Sequence, residues 1–154
     1  MQHYDKKHLF TFGGEHKRFT AGTERVVVNF RGVRILLEVC YDLRFPVWAR
    51  NLGDYDMILY VASWPTPRVD AWSALLRARA IENQCYVAGV NRMGVDPACE
   101  YSGGSAIIDP YGKTIAECPW GRESAVSADI DMEALQTFRK KFPVLDDADP
   151  FTLI

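Results

Sequence analysis

Cys40 ends the run Val33-Arg-Ile-Leu-Leu-Glu-Val-Cys40, where apolar, β-branched residues give way abruptly to polar, turn-forming ones. A thiol at the mouth of a strand, facing the N–H groups of the following turn, becomes a nucleophile when a cation or base lowers its pKa. On chemistry alone a lone cysteine ending an apolar strand is more often a packing residue, since free cysteine is among the most buried residue types. Glu38 shares a strand face with Cys40 by regular alternation. A buried carboxyl there demands a partner, and Arg34 on the same face is the nearest one, so Glu38 reads as structural. His3, His8 and His16 crowd the first sixteen residues, which leaves a His-activated cysteine open, although a neutral His8 packed beside Leu9 and Phe10 is the simpler expectation. Cys40, Cys85, Cys99 and Cys118 form no C-x-x-C pair and have no His at zinc-like spacing. Four free thiols are expected, with no metal and no cofactor.

Positioning that thiol requires a strand, a turn and a layer to hold them. Arg25–Phe30 and Val33–Cys40 read as an antiparallel hairpin about the tight turn Arg31-Gly32, and the apolar run of the second strand points to burial on both faces. Phe45–Asn51 reads as a short helix with Pro46 in its first turn, stopped at Gly53. Met57–Ala62 is a second apolar strand, left through the rigid loop Ser63-Trp-Pro-Thr-Pro67. Asp70 is the expected cap of a helix over Ala71–Asn83, whose Trp72, Leu75, Leu76, Arg79 and Asn83 share one stripe. Cys85–Asn91 follows as a buried strand. Successive strand-helix-strand units imply right-handed crossovers and a sheet layered against helices, an α/β fold. After Gly94–Gly104, read as a polar loop, Ser105–Asp109 and Thr114–Cys118 form a hairpin, and Ser124–Ile130 alternates as a further strand. Asp131 opens a last helix, with Glu133 in its first turn and Lys140-Lys141 at its end, as the helix dipole favours. The first 24 residues read as loop with one short strand at Leu9–Phe12, and the acidic tail from Asp146 as irregular, with Phe151 docking on a neighbour. Nothing divides the chain, so residues 1–154 are expected to form one domain.

Cys40-Tyr-Asp-Leu-Arg-Phe-Pro46 resembles the nucleophile elbow of the nitrilase superfamily, the carbon-nitrogen hydrolases. Three further segments agree with it in the right order. Lys6-Lys-His-Leu-Phe10 looks like the family's K-x-H-L-F lysine motif, Glu15-His-Lys-Arg-Phe-Thr-Ala-Gly22 is similar to the segment carrying its second glutamate, and Ala78-Arg-Ala-Ile-Glu-Asn-Gln84 matches the helix that follows the nucleophile. The elbow and Trp64-Pro-Thr-Pro-Arg68 look most like the omega-amidase branch. The resemblance implies an αββα sandwich in which Cys40 forms a thioester, Lys6 and the backbone N–H of Tyr41 stabilise the oxyanion, and Glu15 orients the lysine or shares its protons. It also implies a small-molecule amide as substrate, 2-oxoglutaramate or 2-oxosuccinamate, hydrolysed to the 2-oxo diacid and ammonia. N-carbamoyl or plain aliphatic amides are the alternatives, as is a catalytically incompetent remnant acting only by association. Arg44 or Arg68 would hold a substrate carboxylate by a bidentate pair, with Trp64 as pocket wall. For Arg44 an ion pair with Asp42 is an equally good account. A homodimer through Phe45–Asn51 and Ala71–Asn83, anchored by Trp48 and Trp72, is likewise implied. The family's general-base glutamate precedes the lysine motif and has no counterpart ahead of Tyr4. The N-terminal portion of the family fold is therefore expected to be missing, leaving unpaired sheet edges and exposed apolar faces.

Composition narrows the partners. Eighteen basic and 20 acidic side chains give a formal charge of −2, so no electrostatic footprint for nucleic acid or an anionic membrane exists. No run reaches the roughly 18 apolar residues that span a bilayer, and the N-terminus lacks the apolar core of a signal peptide. A cytoplasmic setting is the expectation. With 48% hydrophobic and 25% charged residues, the 154-residue chain is of the globular class.

Overall fold

The computed structural model describes residues 2–152. Its frame is a six-stranded mixed sheet of strands β1 (Val27–Phe30), β2 (Val33–Val39), β3 (Met57–Ala62), β4 (Tyr86–Asn91), β7 (Ala106–Ile108) and β8 (Thr114–Glu117), hydrogen-bonded in that order. β2, β3 and β4 run parallel, while β1, β7 and β8 pair antiparallel at the two sides. The three parallel strands therefore all end at one edge of the sheet. Helix α1 (Val69–Glu82) crosses between β3 and β4 and covers one face, where Leu36, Ile58, Tyr60 and Val87 pack against Trp72, Leu76 and Ala80. The approach is so close at β4 that a Cβ on Gly89 would stand 2.6 Å from Leu76 and 2.8 Å from Trp72. A larger residue there would force the Leu76 and Trp72 side chains to shift.

The opposite face is less covered than the apolar runs imply. β2 buries Leu36 and Glu38 fully, but Ile35, Leu37 and Val39 on the other face only in part. Val61 and Val90, register partners on that face, are 47% and 50% exposed. The described residues thus build one helical layer and one main sheet of the expected four-layer sandwich.

Several local expectations are corrected. Leu9–Phe12 is not a strand: the chain turns there through 3₁₀ segments at Thr11–Gly13 and Glu15–Lys17, joined by Gly14 at φ +77°. The helix expected at Phe45–Asn51 is absent, because the residue before Pro46 is pushed out of helical conformation, Phe45 lying at φ −117°, ψ 86°. A 3₁₀ turn forms earlier, at Cys40–Arg44. α1 starts at Val69 without a side-chain cap, continuing directly from the 3₁₀ turn Thr66–Arg68, so Asp70 sits inside its first turn. Gly94–Gly104 is not simple loop but carries a ribbon of β5 (Met93–Val95) and β6 (Glu100–Ser102). Ser124–Ile130 is not a strand, since alternation alone forms no ladder without a neighbour to accept its hydrogen bonds. Trp48 and Trp72, expected on a dimer surface, are 4% and 0% exposed and donate to Tyr4 and to the Gly104 carbonyl inside the fold.

Helix α2 (Met132–Lys141) begins at Asp131, whose carboxylate accepts the Ala134 N–H at 2.8 Å. Arg139 then pins it to the N-terminal ends of β3 and β4, donating to the Gln84 carbonyl, the Tyr55 carbonyl and Asp56 at 2.9 to 3.0 Å. Asp56 also receives Arg34. Burial pushes its carboxyl up, but the two guanidinium groups outweigh that and hold it below the ordinary range. Replacing Arg139 with Ala is expected to cost about 3 kcal/mol, because a buried carboxylate loses one of its two cations. Urea unfolding measures this; Arg139→Lys should recover only part of it, since a single ammonium cannot reach three acceptors.

Candidate active site

At the edge where β2, β3 and β4 end, the chain encloses a cavity of about 740 Å³, within the usual range for small-ligand sites. Cys40 and Tyr41 enter it from the turn after β2, Trp64 and Arg68 from the loop after β3, and Lys6 and Glu15 from the N-terminal segment. Arg44 completes the wall. Every residue singled out for chemistry or substrate contact thus borders one space.

Cys40 occupies the first position of its 3₁₀ turn at φ +50°, a conformation uncommon for a side chain other than glycine. That reversal ends the strand alternation: Cys40 lines the cavity, whereas Glu38 is buried and does not. Its sulfur lies 3.8 Å from the Ser63 carbonyl. Asp42, wholly buried, holds the turn in place. It accepts the Val39 N–H at 3.1 Å, the Tyr4 hydroxyl at 2.9 Å, and both the backbone N–H and the Nδ1 of His8 at 2.8 Å. An ionised carboxylate only accepts, so His8 Nδ1 carries the proton. His8 also stacks on Phe45 with ring centroids 3.8 Å apart, not on Leu9 and Phe10 as expected.

Lys6 lies between Tyr4 and His8, the two residues Asp42 holds. Its ammonium donates to both oxygens of Glu15, at 2.9 and 2.7 Å, and Glu15 also accepts the Phe10 N–H at 2.8 Å. Burial raises the Glu15 carboxyl, but these donors prevail and leave it below the ordinary carboxylate range. Around Cys40 the balance runs the other way. Burial pushes the thiol above its ordinary value, and the Lys6 charge, which pulls it down, does not overcome that. This environment does not favour a ready-made thiolate at neutral pH.

The two arginines differ from the ion pairs elsewhere in the fold. Among the described residues, neither Arg44 nor Arg68 has a carboxylate within salt-bridge distance; Arg44 lies over Trp64, 4.9 Å from the ring centroid, and Arg68 over Phe10 at 5.7 Å. The expected Arg44–Asp42 pair does not form, because Asp42 is fully engaged. Trp64 is fixed by its indole N–H on the Arg68 carbonyl and by Asn91, which bonds its backbone N–H and C=O at 2.7 and 3.0 Å. Glu38, expected to pair with Arg34, does not: Arg34 turns to Asp56. Sequence reasoning missed Asp42 and Asn91 as organisers and Cys99 and Tyr101 as cavity residues. For Asp42 the signal lay in an acidic residue two positions into the turn, a site that reaches back to a strand-end N–H.

A model of the carbon-nitrogen hydrolase family matches residues 1–140. The chain belongs to the carbon-nitrogen hydrolase family. Omega-amidase YafV of Escherichia coli (strain K12) is 55% identical over 151 residues, covering 97% of this chain and 59% of the relative. The 2-oxoglutaramate amidase of Bacillus subtilis (strain 168) is 43% identical over 150 residues, covering 96% and 57%. Among solved structures, XC1258 from Xanthomonas campestris, a CN-hydrolase superfamily protein with an arsenic adduct in its active site, superposes with a TM-score of 0.95 at 49% identity, over 99% of this chain and 60% of that one. The chain therefore spans about three-fifths of the length of these relatives.

The electrostatics of the cavity give a testable outcome. Alkylation of Cys40 by iodoacetamide should rise with pH through a midpoint above the ordinary thiol value, and Lys6→Met should move that midpoint higher still, because the variant removes the charge that opposes burial. Peptide-resolved mass spectrometry reads both rates; a midpoint unmoved by Lys6→Met would show that the ammonium does not act on the sulfur.

Proposed function

We propose that the chain carries the reacting centre of an amidase that hydrolyses the terminal amide of a small 2-oxo acid, 2-oxoglutaramate or 2-oxosuccinamate, to the 2-oxo diacid and ammonia. The observation that carries this reading is the single cavity shared by Cys40, the Lys6–Glu15 pair and two arginines that have no carboxylate partner among the described residues. The names of the relatives agree with it.

In this reading the Cys40 sulfur attacks the amide carbon as its proton passes to a carboxylate, for which the ionised Glu15 is the candidate within this chain. The carbonyl oxygen becomes an oxyanion facing the Lys6 ammonium and the Tyr41 N–H, which lies at the start of a 3₁₀ turn and has no acceptor within it. Collapse expels the nitrogen as ammonia with the transferred proton and leaves a thioester. Water then adds to the thioester, and the acid departs as the thiol regains its proton. Arg68 or Arg44 holds the substrate carboxylate, and Trp64 closes the wall behind it. Assembly as a homodimer through Phe45–Asn51 and Ala71–Asn83 stays part of the proposal, with exposed Val47 and Ile81 in place of the buried tryptophans. The unpaired cysteines fit a reducing, cytoplasmic compartment.

A second reading, an assembled but incomplete site that acts by association, is favoured by the raised Cys40 thiol and the half-exposed sheet face. Ammonia release from 2-oxoglutaramate by this chain and by Cys40→Ala separates the two. Release that disappears in the variant supports the amidase, and no release from either supports the incomplete site. Where turnover is present, Arg68→Ala is expected to raise KM roughly tenfold or more, the worth of a charge-assisted hydrogen bond, without changing Cys40 alkylation. An unaltered KM would assign the carboxylate to Arg44 instead.

A further inference from the structure

On the α1 side of the sheet, beneath the Cys40–Arg44 turn, lies a cluster of buried polar atoms that the proposed hydrolysis does not use. Glu38 is 1% exposed, and among the described residues neither of its carboxyl oxygens has a hydrogen-bond partner. Tyr60 stands opposite it in the parallel register of β2 and β3, is wholly buried, and has an unpartnered hydroxyl. Arg79 reaches in from α1. Its Nη1 donates to Glu82 at 2.7 Å and its Nη2 to the Leu43 carbonyl of the turn at 2.6 Å, while its Nε is buried and unbonded. A buried polar group without a hydrogen bond is costly, so four such atoms on three side chains in one layer call for a common explanation.

We propose that Glu38 is a positioning residue for the turn that bears Cys40, forming with Tyr60 and Arg79 an internal hydrogen-bonded site, closed by one buried water, that keeps Arg79 on the Leu43 carbonyl. Its consequence for catalysis rests on the reading of Cys40 as nucleophile; its geometry does not. With Glu38 protonated, the donors and acceptors can be satisfied through one water without moving Arg79. A neutral carboxyl offers one O–H and an accepting oxygen, Tyr60 offers a donor and an acceptor, and Arg79 Nε offers a donor. One water making three bonds satisfies them. An ionised Glu38 would compete with Glu82 and the Leu43 carbonyl for Arg79 and draw it off the turn.

The charges facing Glu38 come from every neighbouring segment: Tyr4 from the N-terminal segment, Arg25 ahead of β1, Asp42 from the turn, Tyr60 from β3 and Arg79 from α1. Burial favours the proton most, Asp42 adds to it, and Arg25 and Arg79 oppose it; the carboxyl is pushed up to about 9. Arg25 is itself engaged by Asp54, and Arg79 by Glu82. The folded chain thus keeps a proton that the unfolded chain surrenders near the ordinary 4.5. Stability from this group is full below about 4.5 and is lost progressively as pH rises toward about 9.

Carbon-13 NMR of the 154-residue chain between roughly pH 5 and pH 10, following the Glu38 carboxyl and the Leu43 backbone carbonyl, tests the assignment directly. Both signals should shift together with a midpoint near 9. In Glu38→Gln, which keeps the shape and the neutral bonds, the Leu43 shift should vanish, and the variant should gain stability over the parent as pH rises. A Glu38 midpoint in the ordinary carboxylate range, or a Leu43 shift that persists in Glu38→Gln, overturns the proposal. In the unsubstituted chain a Leu43 shift that does not share the Glu38 midpoint overturns the proposal even if the variant does not fold, and neither signal depends on amidase turnover.

Discussion

The site depends on one buried carboxylate. Asp42 is closed off from solvent, and a charge there is tolerable only because four donors converge on its two oxygens. Those donors come from two stretches far apart in sequence: the Tyr4–His8 segment and the end of β2. Joining them sets the ammonium of Lys6 and the sulfur of Cys40 on one cavity. It also stabilises the left-handed backbone at Cys40, a conformation that costs about 1–3 kcal/mol unless its surroundings enforce it. Hydrogen bonds to a charged acceptor are worth about 1.5–3 kcal/mol each, enough to offset that strain and order the N-terminal segment as well.

The two ends of the parallel strands have been put to different uses. At their starts, Asp56 is shared by Arg34 and Arg139 and ties α2 to the sheet, so its charges are mutually consumed. At their ends, where ligands collect in open parallel sheets, the cations are not all consumed. Lys6 faces Glu15, but Arg44 and Arg68 rest on aromatic rings and retain their hydrogen-bonding capacity. In the proposed reading these two cations receive the carboxylate of the substrate. The same stacking limits how the two side chains move.

Much of this was legible in the residues. The apolar runs at Met57–Ala62 and Cys85–Asn91, the stripe through Trp72, Leu76 and Arg79, and the cap at Asp131 each appear where local pattern placed them, because burial and local pattern agree there. The cavity residues Cys40, Lys6, Glu15, Arg44, Trp64 and Arg68 were recognised from their motifs, and the structure brings them to one space. What remained hidden was set by non-local pairing. Ser124–Ile130 alternates like a strand but finds no ladder, and the 93–102 ribbon forms from segments too short and polar to signal it. Arg34 lies on the right face for Glu38 yet is claimed by Asp56, a competition no sequence spacing reveals. Trp48 and Trp72 are large and apolar, and only the folded layers show that they serve the core and not a surface.

Amide-resolved hydrogen exchange in the unsubstituted chain and in Asp42→Asn tests the role given to Asp42 most directly. If one carboxylate joins the two stretches, the substitution deprotects the His8 and Val39 amides together. Protection that survives at His8 while Val39 alone opens would show that the N-terminal segment, and Lys6 with it, is held in place by something else.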